Sequence, residues 1–167
     1  MMKRFLLSFI LSLMCAVFAF AQSTTFSDAD IEYTFELPEP TWKLLTKTPN
    51  VEYAYKDRLD GHLEVRKTSI KADELISDLI QRERERIQTV LPGYVAGKEE
   101  NFAGALKGRV FNYEFVRFGK NMSGRLYFLK ANDSTVYIVR FTGLRDKLRL
   151  IRNQTDSIAR TFKLKTS

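Results

Sequence analysis

The 167-residue sequence has one cysteine, one histidine and one tryptophan. Each scarcity removes a class of chemistry. The cysteine is Cys15, inside a leader-like stretch, so the chain beyond it has no disulfide, no thiolate nucleophile and no cysteine-ligated metal. With His62 alone, neither a multi-histidine metal site nor a paired-histidine acid–base mechanism can be assembled. No serine sits in Gly-x-Ser-x-Gly. Gly104 and Gly108, in "AGALKGRVF", form neither a phosphate loop nor a dinucleotide fingerprint. No catalytic residue, metal or cofactor is expected. His62 follows Asp60-Gly61 and reads as a surface histidine beside a hairpin turn.

Long hydrophobic runs are absent after the first 21 residues. Those begin with a basic "MMKR", continue through the 16 residues "FLLSFILSLMCAVFAF" and end with small residues at Ala19 and Ala21. That three-part layout is a secretory signal peptide, residues 1–21, cut after Ala21. A spanning anchor needs about 20 apolar residues, and a lipoprotein signal needs a small residue where Met14 precedes Cys15. The remaining residues, 22–167, are expected to form a single domain, secreted or periplasmic, with no transmembrane span. Removing Lys3 and Arg4 lowers the formal net charge from +7 to +5. The charge is uneven: residues 22–61 hold four basic and eight acidic groups, residues 140–167 eight basic and two acidic. A basic end on an exported chain points to a protein partner or an anionic surface. Export argues against nucleic acid.

What is present is alternation. "IEYTFEL" places Ile31, Tyr33, Phe35 and Leu37 on one face of a strand that stops at Pro38 and Pro40. "TWKLL" resumes extended structure, and "VEYAY" and "HLEVRKTSI" alternate again. The period then lengthens. In "ADELISDLIQRERERIQTVLPG", Ile76, Leu79, Ile80, Ile87, Val90 and Leu91 mark an amphipathic helix with Asp73 and Glu74 near its start and Pro92-Gly93 at its stop. The charged "QRERERI" reads as its solvent face. Four strands follow, roughly "YVAGKEENFA", "LKGRVFNYEFVRFG", "SGRLYFLKA" and "TVYIVRFTGL". "VYIVRF" is apolar on both faces, as a central strand covered on both sides would be. A closing helix, "RDKLRLIRNQTDSIARTFKL", carries a stripe of Leu144, Leu148, Ile151, Ile158 and Phe162. The order is β-β-β-helix-β-β-β-β-helix with short antiparallel links. This predicts an α+β domain: an antiparallel sheet of about six to seven strands with two main helices packed on it.

A strand ending in "LPEPTW", the tyrosines of "VEYAY", a mid-chain helix, a late "STVYIVRF" strand and a closing helix reaching "DSIARTF" resemble the PsbP/Mog-type superfamily over residues 31–164. That superfamily includes the photosystem II extrinsic protein, a Ran-binding nuclear import factor and small secreted bacterial proteins of the DcrB type. Its usual Gly-Trp and Ser-Phe pairs are here Thr41-Trp42 and Thr161-Phe162. The resemblance implies a non-enzymatic binding or accessory protein. Under it "FELPEPTW" is where the fold begins, with Trp42 in the core, rather than a polyproline ligand.

The closing helix supplies the candidate partner-binding residues: Arg145, Lys147, Arg149, Arg152 and Arg160. Two alternatives differ in class. An envelope hydrolase needs two carboxylates converging in a cleft. A chaperone-like module needs an exposed apolar groove for client segments. Acidic clusters stand at Asp28, Asp30 and Glu32 and at Glu99 and Glu100, without the loop spacing of a calcium site. Asn121, Asn132 and Asn153 match the glycosylation pattern.

Overall fold

Two periodicities organise the chain. In the computed structural model, which describes residues 23–71 and 73–166, period-two segments form ten strands and period-3.6 segments three helices. The predicted leader and its cut after Ala21 lie outside the described residues. The elements are β1 (Thr24–Phe26), β2 (Tyr33–Leu37), β3 (Trp42–Thr46), β4 (Val51–Tyr55), β5 (Asp57–Ser69), α1 (Ile76–Val90), β6 (Val95–Ala103), β7 (Lys107–Arg117), β8 (Lys120–Asn132), β9 (Thr135–Leu144), α2 (Arg145–Leu150), α3 (Arg152–Thr161) and β10 (Lys163–Leu164). A seven-stranded antiparallel sheet runs β3-β4-β5-β9-β8-β7-β6, and a three-stranded sheet runs β1-β2-β10. The expected α+β sheet with two main helical segments is the observed fold.

The sheet separates two cores, and β9 feeds both. Val136 and Ile138 join Leu126, Phe128, Phe111 and the α1 residues Leu79, Ile80 and Ile87 on one face. Tyr137, Val139 and Phe141 join Tyr127, Trp42, Phe162, Ile158 and the β2 residues Tyr33 and Phe35 on the other. Each fully buried side chain of this size contributes about 1.5–3 kcal/mol. Trp42 is buried, and its Nε1–H donates to Gln154 Oε1 at 2.9 Å. Gln154 Nε2 donates to Glu39 Oε1 at 2.9 Å, so the Pro-Glu-Pro break is tied to α3. Thr161 Oγ1 accepts from Glu36 N–H at 2.9 Å, joining α3 to β2. Gly124 lies beneath the Tyr113 ring of the neighbouring strand, where any Cβ would strike it.

Five expectations need correction. The Asp60-Gly61 hairpin turn is not a turn: the chain reverses at Lys56, in the left-handed region at φ 60°, and residues 58–61 bulge between the Tyr55–Asp57 and Ala54–His62 pairs. Asp57 Oδ1 holds that bulge by accepting from Leu59 and Asp60 N–H at 2.7 and 2.9 Å. The closing helix breaks at Ile151 into α2 and α3. Polar residues of low helix propensity, Asn153, Thr155, Asp156 and Ser157, cluster just beyond the break, and the Thr155 hydroxyl donates to Arg152 O at 2.8 Å. Leu144 leaves the helical stripe, ending β9 and packing with the α1-side core. Within "QRERERI", Glu83 is buried and bonded to Arg66 at 2.6 Å and Arg86 at 2.8 Å, because α1 lies on a sheet face that itself carries arginine. At the start of α1, Asp78 rather than Asp73 or Glu74 occupies the first turn and accepts from Leu75 N–H at 3.3 Å.

Candidate functional site

The basic residues of the closing segment divide by position. Arg145, Arg149 and Arg152 line a groove of about 650 Å³ between α2 and strands β6–β8, with Gly97, Asn112, Ser123 and Glu114. They converge because β9 delivers the chain over β8, and burial of Leu148 and Ile151 fixes which way α2 faces. Arg145 reaches Glu114 at 3.5 Å, and Arg149 reaches Asp146 at 3.9 Å. These exposed pairs contribute little to stability and remain available to a ligand. Arg152 takes part in no ion pair among the described residues. Lys147 turns instead toward Asp60 at 3.9 Å. Arg160 sits beside Gly104 and Ala105 in the β6–β7 turn, where its carbonyl accepts from Ala105 N–H at 2.8 Å. Both stand apart from the groove.

The groove contains a fourth arginine that the sequence reading missed. Arg125 on β8 is buried at 7% exposure. Its Nε donates to Tyr127 Oη at 2.5 Å, Nη1 to Asn112 Oδ1 at 2.7 Å and Nη2 to Asp156 Oδ1 at 2.7 Å. Tyr127 Oη donates to Asp156 at 2.5 Å and contacts Thr155 Oγ1 at 3.0 Å. Burial pushes the Tyr127 hydroxyl well above the ordinary phenol range. This guanidinium is locked in place and paired with Asp156, so it gives the groove a rigid polar floor, while the groove's excess positive charge comes from Arg145, Arg149 and Arg152. In "SGRLYFLKA" it reads as one polar residue in a strand; only its strand neighbours and α3 reveal the network.

The second concavity, about 530 Å³, lies on the opposite sheet face where α1 leaves strands uncovered. Glu52 and Glu64 are cross-strand partners there. His62, expected at the surface, has only 13% of its side chain exposed, and its Nε2 lies 2.9 Å from Glu52 Oε2. Arg58 reaches the same oxygen at 3.1 Å. Glu64 is held by Arg140 and by Asn50 Nδ2 at 3.0 Å. Two carboxylates thus share a cleft, each already engaged by a cation.

In the remaining acidic clusters, Asp28 pairs with Lys47, Glu32 with Lys67 and Tyr137, and Glu99 with Arg109 at 2.8 Å. Among the described residues no His, Cys, Asp and Glu group is arranged to hold a metal, and no helix is long and apolar enough to cross a membrane.

This architecture is the PsbP/Mog-like fold. The chain is similar to the cyanobacterial PsbP (CyanoP) of Synechocystis, with TM-score 0.60 and 15% identity over 90% of this chain and 97% of that one. It is similar to LpqN of Mycobacterium tuberculosis, described as involved in cell envelope biogenesis, with TM-score 0.60 and 15% identity over 87% and 91%. The Ran-binding protein Mog1p of Saccharomyces cerevisiae superposes with TM-score 0.65 at 9% identity over 86% and 96%. No protein-family model and no curated protein matches the sequence. At these identities the likeness is one of fold.

Proposed function

We propose that the protein is an exported, non-enzymatic accessory protein that binds anionic groups, on a protein partner or a surface, through the groove of Arg145, Arg149 and Arg152. The convergence of these three arginines over the locked Arg125 carries this reading. A guanidinium presents planar, paired donors suited to carboxylate or phosphate. The expected signal peptide, with its cut after Ala21, supports a secreted or periplasmic location. Support comes from neighbours of the same fold: one described as a Ran-binding protein and another as involved in envelope biogenesis.

The hydrolase alternative would have to use Glu52 and Glu64. A glycosidase acid must deliver a proton, and its partner must face the anomeric carbon or a water. Here Glu52 is taken by Arg58 and His62, and Glu64 by Arg140 and Asn50. The same ion pairs disfavour a chaperone-like groove, since an apolar client would strand them without water.

Co-sedimentation with an acidic polymer tests the proposal. Parent protein should bind at low salt and release above about 0.1 M, where the screening length is near 10 Å. Substituting Arg145, Arg149 and Arg152 by Glu should abolish binding. Retained binding in that variant would remove the groove from consideration.

A further inference from the structure

Strands β7 and β8 are joined by a two-residue turn, Phe118-Gly119, closed by the Arg117–Lys120 pair. Both central residues have positive φ, 51° at Phe118 and 69° at Gly119. Turns of this kind favour Asn-Gly, because a Cβ is strained in the left-handed region and asparagine, whose short polar side chain hydrogen-bonds locally, tolerates it best, a bulky ring poorly. Phe118 is therefore disfavoured by its backbone, and its ring gains no burial in return: it is 87% exposed, more than any other large hydrophobic among the described residues. The Arg117 guanidinium lies 5.3 Å from the ring centroid, and the rest of the ring is left to solvent, a placement that suits a contact outside the chain.

The surroundings indicate the chemistry of that contact. Arg117 and Lys120 flank the ring, and neither takes part in an ion pair among the described residues. Arg58 and the 40% exposed Leu59 border the same cavity as the tip. Val116 is 36% exposed just behind it. Phe118 stands at the rim of that cavity with its ring in the open, so the cavity does not enclose it. A yielding surface with an apolar interior and anionic headgroups complements the tip.

We infer that the β7–β8 hairpin tip is a membrane-surface anchor: Phe118 enters the interface of an anionic bilayer while Arg117 and Lys120 meet its phosphates. Aromatic rings settle at the headgroup level, and basic residues beside them are attracted to an anionic leaflet. One ring and a few cations give reversible attachment rather than permanent insertion. The inference rests on the reading that the protein engages an anionic surface, and it names that surface as lipid. It assigns the first contact to the tip, on the β7–β8 hairpin that also carries Glu114, the ion-pair partner of Arg145.

The test uses the exported chain with vesicles of phosphatidylcholine alone or mixed with phosphatidylglycerol, and with soluble polyglutamate. Phe118→Trp adds a reporter at the tip, while native Trp42 is buried and insensitive to lipid-borne quenchers. The reporter should shift to shorter wavelength and be quenched by brominated acyl chains only on phosphatidylglycerol vesicles. Phe118→Asn, which suits the turn, should weaken vesicle binding about tenfold and leave polyglutamate binding unchanged. An unshifted reporter, or a Phe118→Asn variant that holds vesicles as tightly as the parent, overturns the inference. If polyglutamate binds through Arg145, Arg149 and Arg152 while the reporter stays in water, the groove reading stands and the lipid anchor fails. If vesicles bind through the tip and polyglutamate does not bind, the groove reading fails and the anchor stands.

Discussion

Trp42 and Phe118 are opposite uses of an aromatic residue. Trp42 packs against Tyr55 and Phe141 at centroid distances of 5.3 and 5.9 Å and satisfies its indole N–H on Gln154. Trp42→Ala is expected to cost about 3–5 kcal/mol, read as a lowered urea midpoint. Trp42→Phe keeps most of the packing and should lose about 1 kcal/mol for the hydrogen bond. At Phe118 the direction reverses. Phe118→Asn relieves a left-handed aromatic residue and should stabilise by about 1 kcal/mol, seen as a raised melting temperature; a fall would mean the ring serves the fold. The burial of Trp42 was legible because alternating strands flank it. The pairing of His62 with Glu52 was not, because it depends on the β4–β5 register and on a bulge that replaces the expected turn.

At the level of elements, β8 and α3 are joined through a charge. Arg125 is buried, and Asp156 is its one carboxylate among the described residues. Asp156→Ala leaves that guanidinium without its counter-charge and should destabilise by about 3 kcal/mol, while Asp156→Asn should recover part of the loss by retaining an acceptor. Comparable midpoints for Ala and Asn would show that the network holds no charge-dependent link. Strand order was readable around β9, whose two-sided apolar pattern marks a central strand. The helix break at Ile151 was hidden because Leu148, Ile151, Ile158 and Phe162 keep one continuous helical spacing across it. The burial of Glu83 was hidden too: "QRERERI" is charged all along, and only Arg66 on the facing sheet, with Arg86 of the same helix, turns one carboxylate inward.

For the whole molecule, stability should fall at both ends of the pH scale. Burial pushes the Tyr53 and Tyr113 hydroxyls up to about 12. A raised phenol value favours the folded state fully below the ordinary value of about 10, and that contribution is lost as pH rises from there toward 12. On the acid side, hydrogen bonds first from Lys67 and then from Tyr137 hold Glu32 below the ordinary carboxylate range. Its contribution is present above about pH 4.5 and lost as pH falls. A urea midpoint that stayed level up to pH 12 would contradict the buried tyrosines. The groove was half legible at this scale: charge asymmetry singled out the closing segment, but its five basic residues are separated by the Ile151 break and by the reach of Lys147 to Asp60.

An amide chemical-shift map recorded during titration with a short polyglutamate at low salt locates the anion-binding surface residue by residue. Shifts should concentrate at Gly97, Asn112, Ser123, Arg149 and Arg152, which border the groove beneath α2, and should fade above about 0.1 M salt. Shifts confined to Glu52, His62 and Thr142 on the open sheet face, or no shifts at low salt, would contradict the assignment of that groove as the place where anionic groups bind.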